Sequence, residues 1–160
     1  MDRVDAIEAA WRRERPDVDV APLALFGRLF RAVSLADARL AAGLTGYDLQ
    51  PGWFDLLAAL RRAGKPYQLN PTQLSQATML SSAGMTKRLD RMAAAGLVER
   101  HPDPTDRRGT LVRLTPRGRR TIDAALPLHV ANEARLLAGL TKQERRSLDA
   151  LLRKLLVDLE

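Results

Sequence analysis

Residues 96–118 read GLVERHPDPTDRRGTLVRLTPRG, and this stretch decides the fold. The segment Leu97-Val98-Glu99-Arg100 predicts a strand, and the alternation of apolar and polar residues from Thr110 to Leu114 predicts a second strand. Prolines and a glycine interrupt the charged loop between them, as is typical of a tight turn. The two strands are therefore expected to form a hairpin, and Thr115-Pro116 is expected to open a helix directly after it.

Two short helices in quick succession are predicted directly before the hairpin. Asn70 is a typical N-cap residue, Pro71 suits the first helical position, and this helix is expected to end near Met79. Ser81 is expected to cap the next helix, which runs to about Ala95. Two short helices joined by a brief turn are typical of a helix-turn-helix. With the hairpin after it, this segment is predicted to be a winged helix.

Longer amphipathic helices are predicted on both sides of the winged helix. One ends near Arg15, one ends near Leu40, and a third begins near Pro51. After the hairpin, a helix continues to about Leu140, and the capping box Thr141-Lys142-Gln143-Glu144 opens a last one. The expected fold class is mainly α with a small β-hairpin wing, a winged helix-turn-helix with N- and C-terminal dimerisation helices.

The apolar stripes of the terminal helices imply a partner chain, because each stripe must be buried against something. Packing on the same domain is one solution, and packing on the counterpart helices of a twofold dimer is the other. The homodimer is favoured, since the dense leucine stripe of the last helix would otherwise stay exposed. The predicted organisation is residues 1–45 for dimerisation, 46–116 for the winged helix-turn-helix, and 117–160 for dimerisation.

The composition excludes several kinds of site. The 160 residues include no cysteine, which excludes disulfides, thiolate zinc sites and cysteine nucleophiles. His101 and His129 are the only histidines, too few for a histidine-rich metal centre. No phosphate-loop, zinc-protease or serine-hydrolase motif occurs, so we expect no enzyme, no cofactor and no metal. We also expect a cytoplasmic location, since there is no signal peptide and no apolar run of membrane-spanning length.

The net charge of +7 is concentrated in one quarter of the chain. Residues 81–120 carry ten basic and four acidic side chains, a net charge of +6. A local basic patch between nearly neutral flanks is typical of a protein that binds double-stranded DNA. A cationic face that only keeps the protein soluble is the alternative interpretation.

The second helix of the helix-turn-helix is the candidate recognition helix. A period of 100° per residue places Met85, Leu89 and Met92 on the core side. Small and polar residues on the opposite side can enter the major groove and reach base edges or phosphates. The candidate DNA-binding residues of this segment are Ser81, Ser82, Ala83, Thr86, Lys87 and Arg91.

The tip of the hairpin supplies two further candidates for DNA binding, Arg107 and Arg108. Paired arginines on a short hairpin can reach an adjacent minor groove. Asp103 or Asp106 can hold one of these arginines in a fixed pose. An ordinary charged turn is the alternative.

Asp55 and Arg88 are candidates for an internal contact. Asp55 is the one ionisable residue between Trp53 and Leu60, and a buried carboxylate needs a partner. Arg88 borders the core side of the recognition helix, where it is poorly placed for DNA. An Asp55–Arg88 pair would join the two helices, either as a static salt bridge or as part of a ligand site.

Three motifs of this chain strongly resemble the multiple antibiotic resistance regulator (MarR) family. They are GLVER at 96–100, DPTDRR at 103–108 and VRLTPRG at 112–118. The resemblance covers essentially the whole chain. It implies a homodimeric winged-helix transcription factor, usually a repressor, which binds a pseudo-palindromic operator and is released by a small molecule.

Within that family, the chain resembles the urate-responsive branch. The branch has a tryptophan on an extra N-terminal helix, an aspartate near a Gly-Trp pair, and arginines in the recognition helix and at the start of the wing. The matching positions here are Trp11, Asp55, Arg88 and Arg100, although Gly52-Trp53-Phe54-Asp55 departs slightly from the branch pattern. The resemblance implies that these residues bind a small aromatic anion, either urate or a phenolic acid.

Two other functions stay open at this point. The winged helix can serve as a protein-interaction module, or the chain can bind DNA without responding to a ligand. Trp11 can likewise be an ordinary core aromatic. A steep salt dependence of DNA binding separates a DNA-binding regulator from a protein-interaction module.

Overall fold

The computed structural model describes residues 2–78, 80, 84–106 and 109–160. It divides into two compact units, residues 1–42 and residues 43–160. The first unit consists of α1 (Arg3–Glu14) and α2 (Ala21–Gly43, whose last residue begins the second unit). Val4 is buried here and packs against Gly27, where an added Cβ would lie 3.3 Å from the Val4 Cγ1. Arg28 of α2 forms an ion pair with Asp2 at 3.0 Å and another with Asp5.

The second unit contains the other helices and all strands of the described chain. The helices are α3 (Trp53–Arg62), α4 (Pro71–Ala77), α5 (Met85–Ala94), α6 (Pro116–Leu136) and α7 (Lys142–Leu159), and a short 3-10 turn spans Thr45–Tyr47. The strands are β1 (Gln68–Leu69), β2 (Val98–Pro102) and β3 (Thr110–Leu114). They form an antiparallel sheet in the order β1-β3-β2.

The core of this unit lies where α3, α4 and α5 meet the sheet and α6. Its largest fully buried side chains are apolar: Leu56, Leu57, Leu60, Leu74, Leu89, Met92, Val112 and Ile122. Apolar burial of this kind is the main stabilising contribution to folding. The predicted fold class is confirmed, since a mainly helical chain carries a small hairpin directly after two short helices.

The helix starts differ from the predictions at one important place. Asn70 caps α4 as predicted, with a reciprocal hydrogen-bond pair to Gln73. The next helix, α5, begins at Met85, with Gly84 in the left-handed region (φ 77°) at its N-cap. The described helix thus begins three residues later than predicted, at a glycine that adopts this backbone conformation without steric cost, and the predicted cap Ser81 lies outside the described residues.

Strand β1 was not predicted, and α6 is shorter than expected. Gln68 and Leu69 pair with Arg113 and Val112 of β3, which makes a third strand from a segment that the sequence indicates only as a connector. Two residues are too few to show a period of two. Helix α6 ends at Leu136, four residues before the predicted end at Leu140.

Candidate nucleic-acid interface

Helix α5 presents two distinct faces. Met85, Leu89 and Met92 are buried, as the helical period predicts. Thr86, Lys87 and Arg91 are exposed on the other side. This exposure leaves their polar groups accessible to a nucleic acid, since α5 uses its apolar face for the core.

Several predicted DNA-binding residues lie outside the described part of the chain. They are Ser81, Ser82, Ala83, Arg107 and Arg108. Their proposed contacts stay predictions. The elements that follow them along the chain are described: α5 starts at Met85, and β3 starts at Thr110.

The loop of the wing is closed by its own hydrogen bonds. The Asp103 amide donates to the Gly109 carbonyl at 3.0 Å, and the Gly109 amide donates to the Asp106 carbonyl at 2.8 Å. The Asp103 carboxylate accepts from the hydroxyl and the amide of Thr105, at 2.7 and 2.8 Å. These bonds hold the pKa of Asp103 below its usual range. One of the two aspartates thus stabilises the turn directly.

Arg100 connects the wing to the candidate recognition helix. Its guanidinium forms an ion pair with Asp90 of α5 at 2.9 Å and donates to the Thr86 carbonyl at 3.4 Å. Both side chains of the ion pair are partly exposed, so solvent screens their attraction. The contact orients β2 relative to the first turns of α5.

Arg88 lies at the buried edge of α5 with an unsatisfied nitrogen. Its Nη1 is buried and has no hydrogen-bond partner in the described part of the chain. A Cβ added to Gly52 would lie 3.2 Å from the Nε of Arg88 and would also contact the Leu80 side chain. A buried guanidinium N–H without an acceptor is costly, which makes this atom a strong candidate for binding an anion.

The predicted Asp55–Arg88 pair is wrong. Asp55 is exposed, and no ion pair joins it to Arg88 among the described residues. The other residues of the first two turns of α3 turn toward the core, and Asp55 points to solvent from the helix N-terminus. Water and the positive end of the helix dipole stabilise a carboxylate at that position, so it needs no buried partner.

Trp11 belongs to the N-terminal unit. Its side chain is 45% exposed on α1, so it is not a core residue of that unit. Asp55, Arg88 and Arg100 belong to the other unit. Only Arg88 and Arg100 lie on or beside α5, and they lie on different sides of it, one toward Gly52 and one toward Asp90.

Thr115 and Gly118 are two structural residues of the motif at 112–118. The Thr115 hydroxyl donates to the Gly96 carbonyl at 2.7 Å and accepts from the Gly118 amide at 2.9 Å. A Cβ on Gly118 would overlap the carbonyl oxygen of Leu97. The Thr-Pro-x-Gly spacing thus fixes the start of α6 against the start of the wing.

Comparisons with known proteins agree with this architecture. A family model described as MarR family matches residues 47–109, which contain the helix-turn-helix and most of the wing. The regulator PecS of Dickeya dadantii is 40% identical over 149 residues, covering 93% of this chain and 90% of that protein. The chain belongs to the MarR family of transcriptional regulators.

Solved structures of MarR-family proteins have the same fold. A mutant of MarR from E. coli complexed with operator DNA has a TM-score of 0.76 at 30% identity, covering 87% of this chain and 99% of that one. BpsR of Bordetella bronchiseptica has a TM-score of 0.73 at 29% identity, covering 82% and 97%, and its DNA binding is regulated by 6-hydroxynicotinic acid.

The family membership establishes the general function. The chain is a DNA-binding transcriptional regulator, and its relatives are regulators, not enzymes. The predictions of a regulator and of no enzymatic activity are confirmed. In the described ranges, no helix meets the length and apolarity that a membrane span requires, and no cluster of three potential metal ligands is found.

Proposed function

We propose that this MarR-family protein is a homodimeric repressor whose hold on its operator is released by a small aromatic anion, either urate or a phenolic acid. The observation that carries the proposal is the buried Nη1 of Arg88 on the proposed recognition helix, which has no hydrogen-bond partner among the residues that the structure describes. An anion at this atom acts directly on α5. In this proposal, residues 46–116 bind DNA, and residues 1–45 and 117–160 form the dimer.

The exposed apolar side chains of the terminal helices support the dimer. Helix α7 has no buried residue, and Leu151 and Leu156 are 65% and 51% exposed. Phe30 of α2 is 71% exposed and Val33 is 58% exposed. Soluble monomers rarely present apolar surface on this scale. A second copy of the chain covers such helices in a symmetric assembly.

The exposed face of α5 and the wing support operator binding. In this proposal, Thr86, Lys87 and Arg91 face the major groove, together with the small residues Ser81, Ser82 and Ala83. Arg107 and Arg108 at the wing tip enter the adjacent minor groove. Two copies related by a twofold axis then read two half-sites about one helical turn apart, which is a pseudo-palindrome.

The surroundings of Arg88 suit an anion with an apolar body. The guanidinium supplies charge-assisted hydrogen bonds, and the Leu80 side chain lines the same place. Gly52 lies in close contact with Arg88 and Leu80, and it precedes the N-terminus of α3, whose dipole favours negative charge. The regulation of BpsR by 6-hydroxynicotinic acid, an aromatic acid, supports this ligand class.

Binding at Arg88 explains release from DNA. A ligand shifts an equilibrium only as far as it prefers one of two states. An anion that satisfies Nη1 favours the position of α5 in which that contact is complete. If this position spaces the two recognition helices differently from the operator grooves, the ligand lowers the affinity for the operator. The operator then lowers the affinity for the ligand by the same factor. The ligand-binding roles that the resemblance to the urate-responsive branch implies for Trp11, Asp55 and Arg100 stay predictions.

The test uses an operator selected from a random duplex library and fluorescence anisotropy. Urate, 4-hydroxybenzoate and 6-hydroxynicotinate are added to the complex, with benzamide as the uncharged comparison. We expect at least one of the anions, and not benzamide, to release the wild-type protein. Arg88→Gln should bind the operator and resist release, and the control Arg15→Gln, in an exposed loop, should behave as wild type.

The outcome also separates the alternatives. Normal release of Arg88→Gln by the same anion excludes the Arg88 site. An operator complex that none of the anions affects indicates a ligand-independent regulator. A flat dependence of affinity on salt would indicate a protein-interaction module, because each neutralised phosphate contributes a slope of about −0.9 in log K against log salt.

A further inference from the structure

Most of the excess basic charge in residues 81–120 lies away from the DNA-reading elements. Residues 81–109, which contain α5 and the wing tip, contribute only +2. Residues 110–120 contain four arginines and no acidic residue. These arginines lie on β3 and in the first turns of α6, at the base of the wing. The proposed operator contacts do not account for this charge.

Two cationic side chains near this place contact the ring of Tyr67. The guanidinium carbons of Arg61 and Arg119 lie 5.1 and 5.6 Å from the centre of the Tyr67 ring, within cation–π range. Both arginines share one carboxylate, Asp123. The Nε of Arg61 lies 2.7 Å from Asp123, and the Nε of Arg119 lies 3.7 Å from it. Arg61 therefore holds the carboxylate, and Arg119 is only weakly neutralised.

Arg120 has no ion pair among the described residues. Arg119 and Arg120 thus carry nearly two unbalanced positive charges in the first turns of α6. The like charges repel one another. A ligand with negative charge at this place would relieve the repulsion.

A groove of about 360 Å³ opens between these arginines and the end of the sheet. Its lining residues come from the turn before β1, the end of β3 and the start of α6. They are Tyr67, Leu114, Thr115, Pro116, Arg119 and Arg120. The volume lies at the lower end of the range for small-molecule sites. The groove combines an aromatic ring, two apolar walls and two guanidinium groups.

We propose that this groove is a second anion site, which binds a small molecule with a carboxylate or a phosphate group. Guanidinium groups recognise the planar carboxylate and the phosphate through paired hydrogen bonds. The Thr115 hydroxyl is already occupied by Gly96 and Gly118, so the arginines supply the selectivity. This site goes beyond the proposed function, because it involves neither Arg88 nor a DNA-contacting residue.

The position of the groove gives binding a structural effect. The Leu114 amide donates to the Tyr67 carbonyl at 3.0 Å, and Arg61 joins α3 to Asp123 of α6. A ligand that bridges Tyr67 and Arg119 would strengthen the junction of α3, the sheet and α6. We therefore expect the unfolding temperature to rise on binding, since a ligand that binds only the folded state stabilises it.

The test is a titration of the ¹⁵N-labelled protein with inorganic phosphate and, separately, with benzoate. Sodium chloride keeps the ionic strength constant. We expect saturable shift changes centred on Tyr67, Thr115 and Arg119, with a rise in the unfolding temperature. Saturation by phosphate alone identifies a phosphate ligand, and saturation by benzoate alone identifies a carboxylate ligand. Small changes spread over the whole surface in both titrations would overturn the proposal.

Matched variants locate the site. The double variant Arg119→Gln/Arg120→Gln should lose about tenfold or more in affinity, because it removes two charge-assisted contacts. Arg153→Gln, an exposed arginine of α7, should bind as wild type. Arg88→Gln should also bind normally here. Loss of binding in Arg88→Gln, with retention in the double variant, would assign the anion to Arg88 and contradict a second site.

Discussion

Gly118 shows how one residue without a side chain determines a close contact. It lies in the first turn of α6, where its backbone packs against the Leu97 carbonyl at the base of the wing. Alanine is the better helix former, by about 1 kcal/mol. The steric overlap is nevertheless the larger effect, because the nearest atoms are backbone and cannot rotate away.

We therefore expect Gly118→Ala to lower the free energy of unfolding by about 1–3 kcal/mol. Urea denaturation, followed by far-UV circular dichroism, measures the change. The matched control is Gly46→Ala, since a Cβ there meets nothing within 4 Å. The control should be close to wild type. Equal stability of the two variants would mean that α6 and β2 can separate without cost.

Arg88 and Asp55 show what the helical period predicts at the residue scale and where it fails. The period placed Met85, Leu89 and Met92 correctly, because α5 has one apolar face and one polar face. Helix α3 is apolar on most sides, so its sequence pattern does not predict which side faces solvent or that Asp55 lies there. Burial there depends on which elements pack around α3, and this information is not local. The surroundings of Arg88 likewise depend on Gly52 and Leu80, from two other segments.

At the scale of the element, α4 depends on its cap. The helix has only seven residues, so few internal hydrogen bonds hold it together. The Asn70 side chain accepts from the Gln73 amide at 2.8 Å, and the Gln73 side chain accepts from the Asn70 amide at 2.9 Å. These two bonds satisfy helix-end donors that would otherwise have no partner.

Asn70→Ala should cost about 1 kcal/mol of stability, in the range of other N-cap substitutions. Gln76→Ala is the matched control, because Gln76 is an exposed amide on the same helix and lies outside the capping box. Urea midpoints of both variants give the comparison. A loss as large for Gln76→Ala as for Asn70→Ala would contradict the role of the cap.

The wing turn has a predictable pH dependence. The hydroxyl and amide of Thr105 donate to Asp103, so its pKa in the folded protein is lower than in the unfolded chain. A lowered pKa means that this stabilisation is complete above the unfolded value of about 3.9 and is lost as the pH falls through the folded value. The turn is therefore expected to keep its hydrogen bonds between pH 7 and pH 5.

The Thr105 amide proton reports on this titration by NMR. Its chemical shift should titrate with a midpoint below the usual aspartate value, and Asp103→Asn should abolish that transition. A midpoint above the usual value would mean that burial, not hydrogen bonding, controls Asp103. Because Asp103 stays ionised between pH 5 and pH 7, its titration should not change the proposed operator binding by the wing in that range.

The elements of the winged helix could largely be predicted from the sequence, because caps, turns and alternation are local signals. Asn70, Thr115 and Thr141 all cap helices in the structure. Strand β1 could not be predicted, since its two residues gain strand geometry only by pairing with β3. The start of α5 depends on the positive φ of Gly84, which the pattern of apolar residues does not encode.

At the scale of the whole molecule, the apolar face of α7 needs a partner. A period of 100° per residue places Leu148, Leu152 and Leu159 within one narrow sector of the helix. Leu148 and Leu152 are each 39% exposed and Leu159 is 66% exposed, so the single chain leaves this sector partly uncovered. A charge in the middle of the sector would oppose association with a second copy, because a buried carboxylate without a partner is costly.

Leu152→Asp should therefore convert the proposed dimer to a monomer and leave the helical content unchanged, since the single chain does not bury this side chain fully. Sedimentation velocity gives the mass, and circular dichroism gives the helicity. Ala150→Asp is the matched control, because it adds the same charge on the opposite side of α7. The control should stay dimeric and protect two half-sites of the operator. The monomeric variant should protect neither, because one winged helix alone makes only half of the phosphate contacts. A wild-type protein that sediments as a monomer, or a Leu152→Asp protein that still protects both half-sites, would show that the exposed leucines do not form the interface.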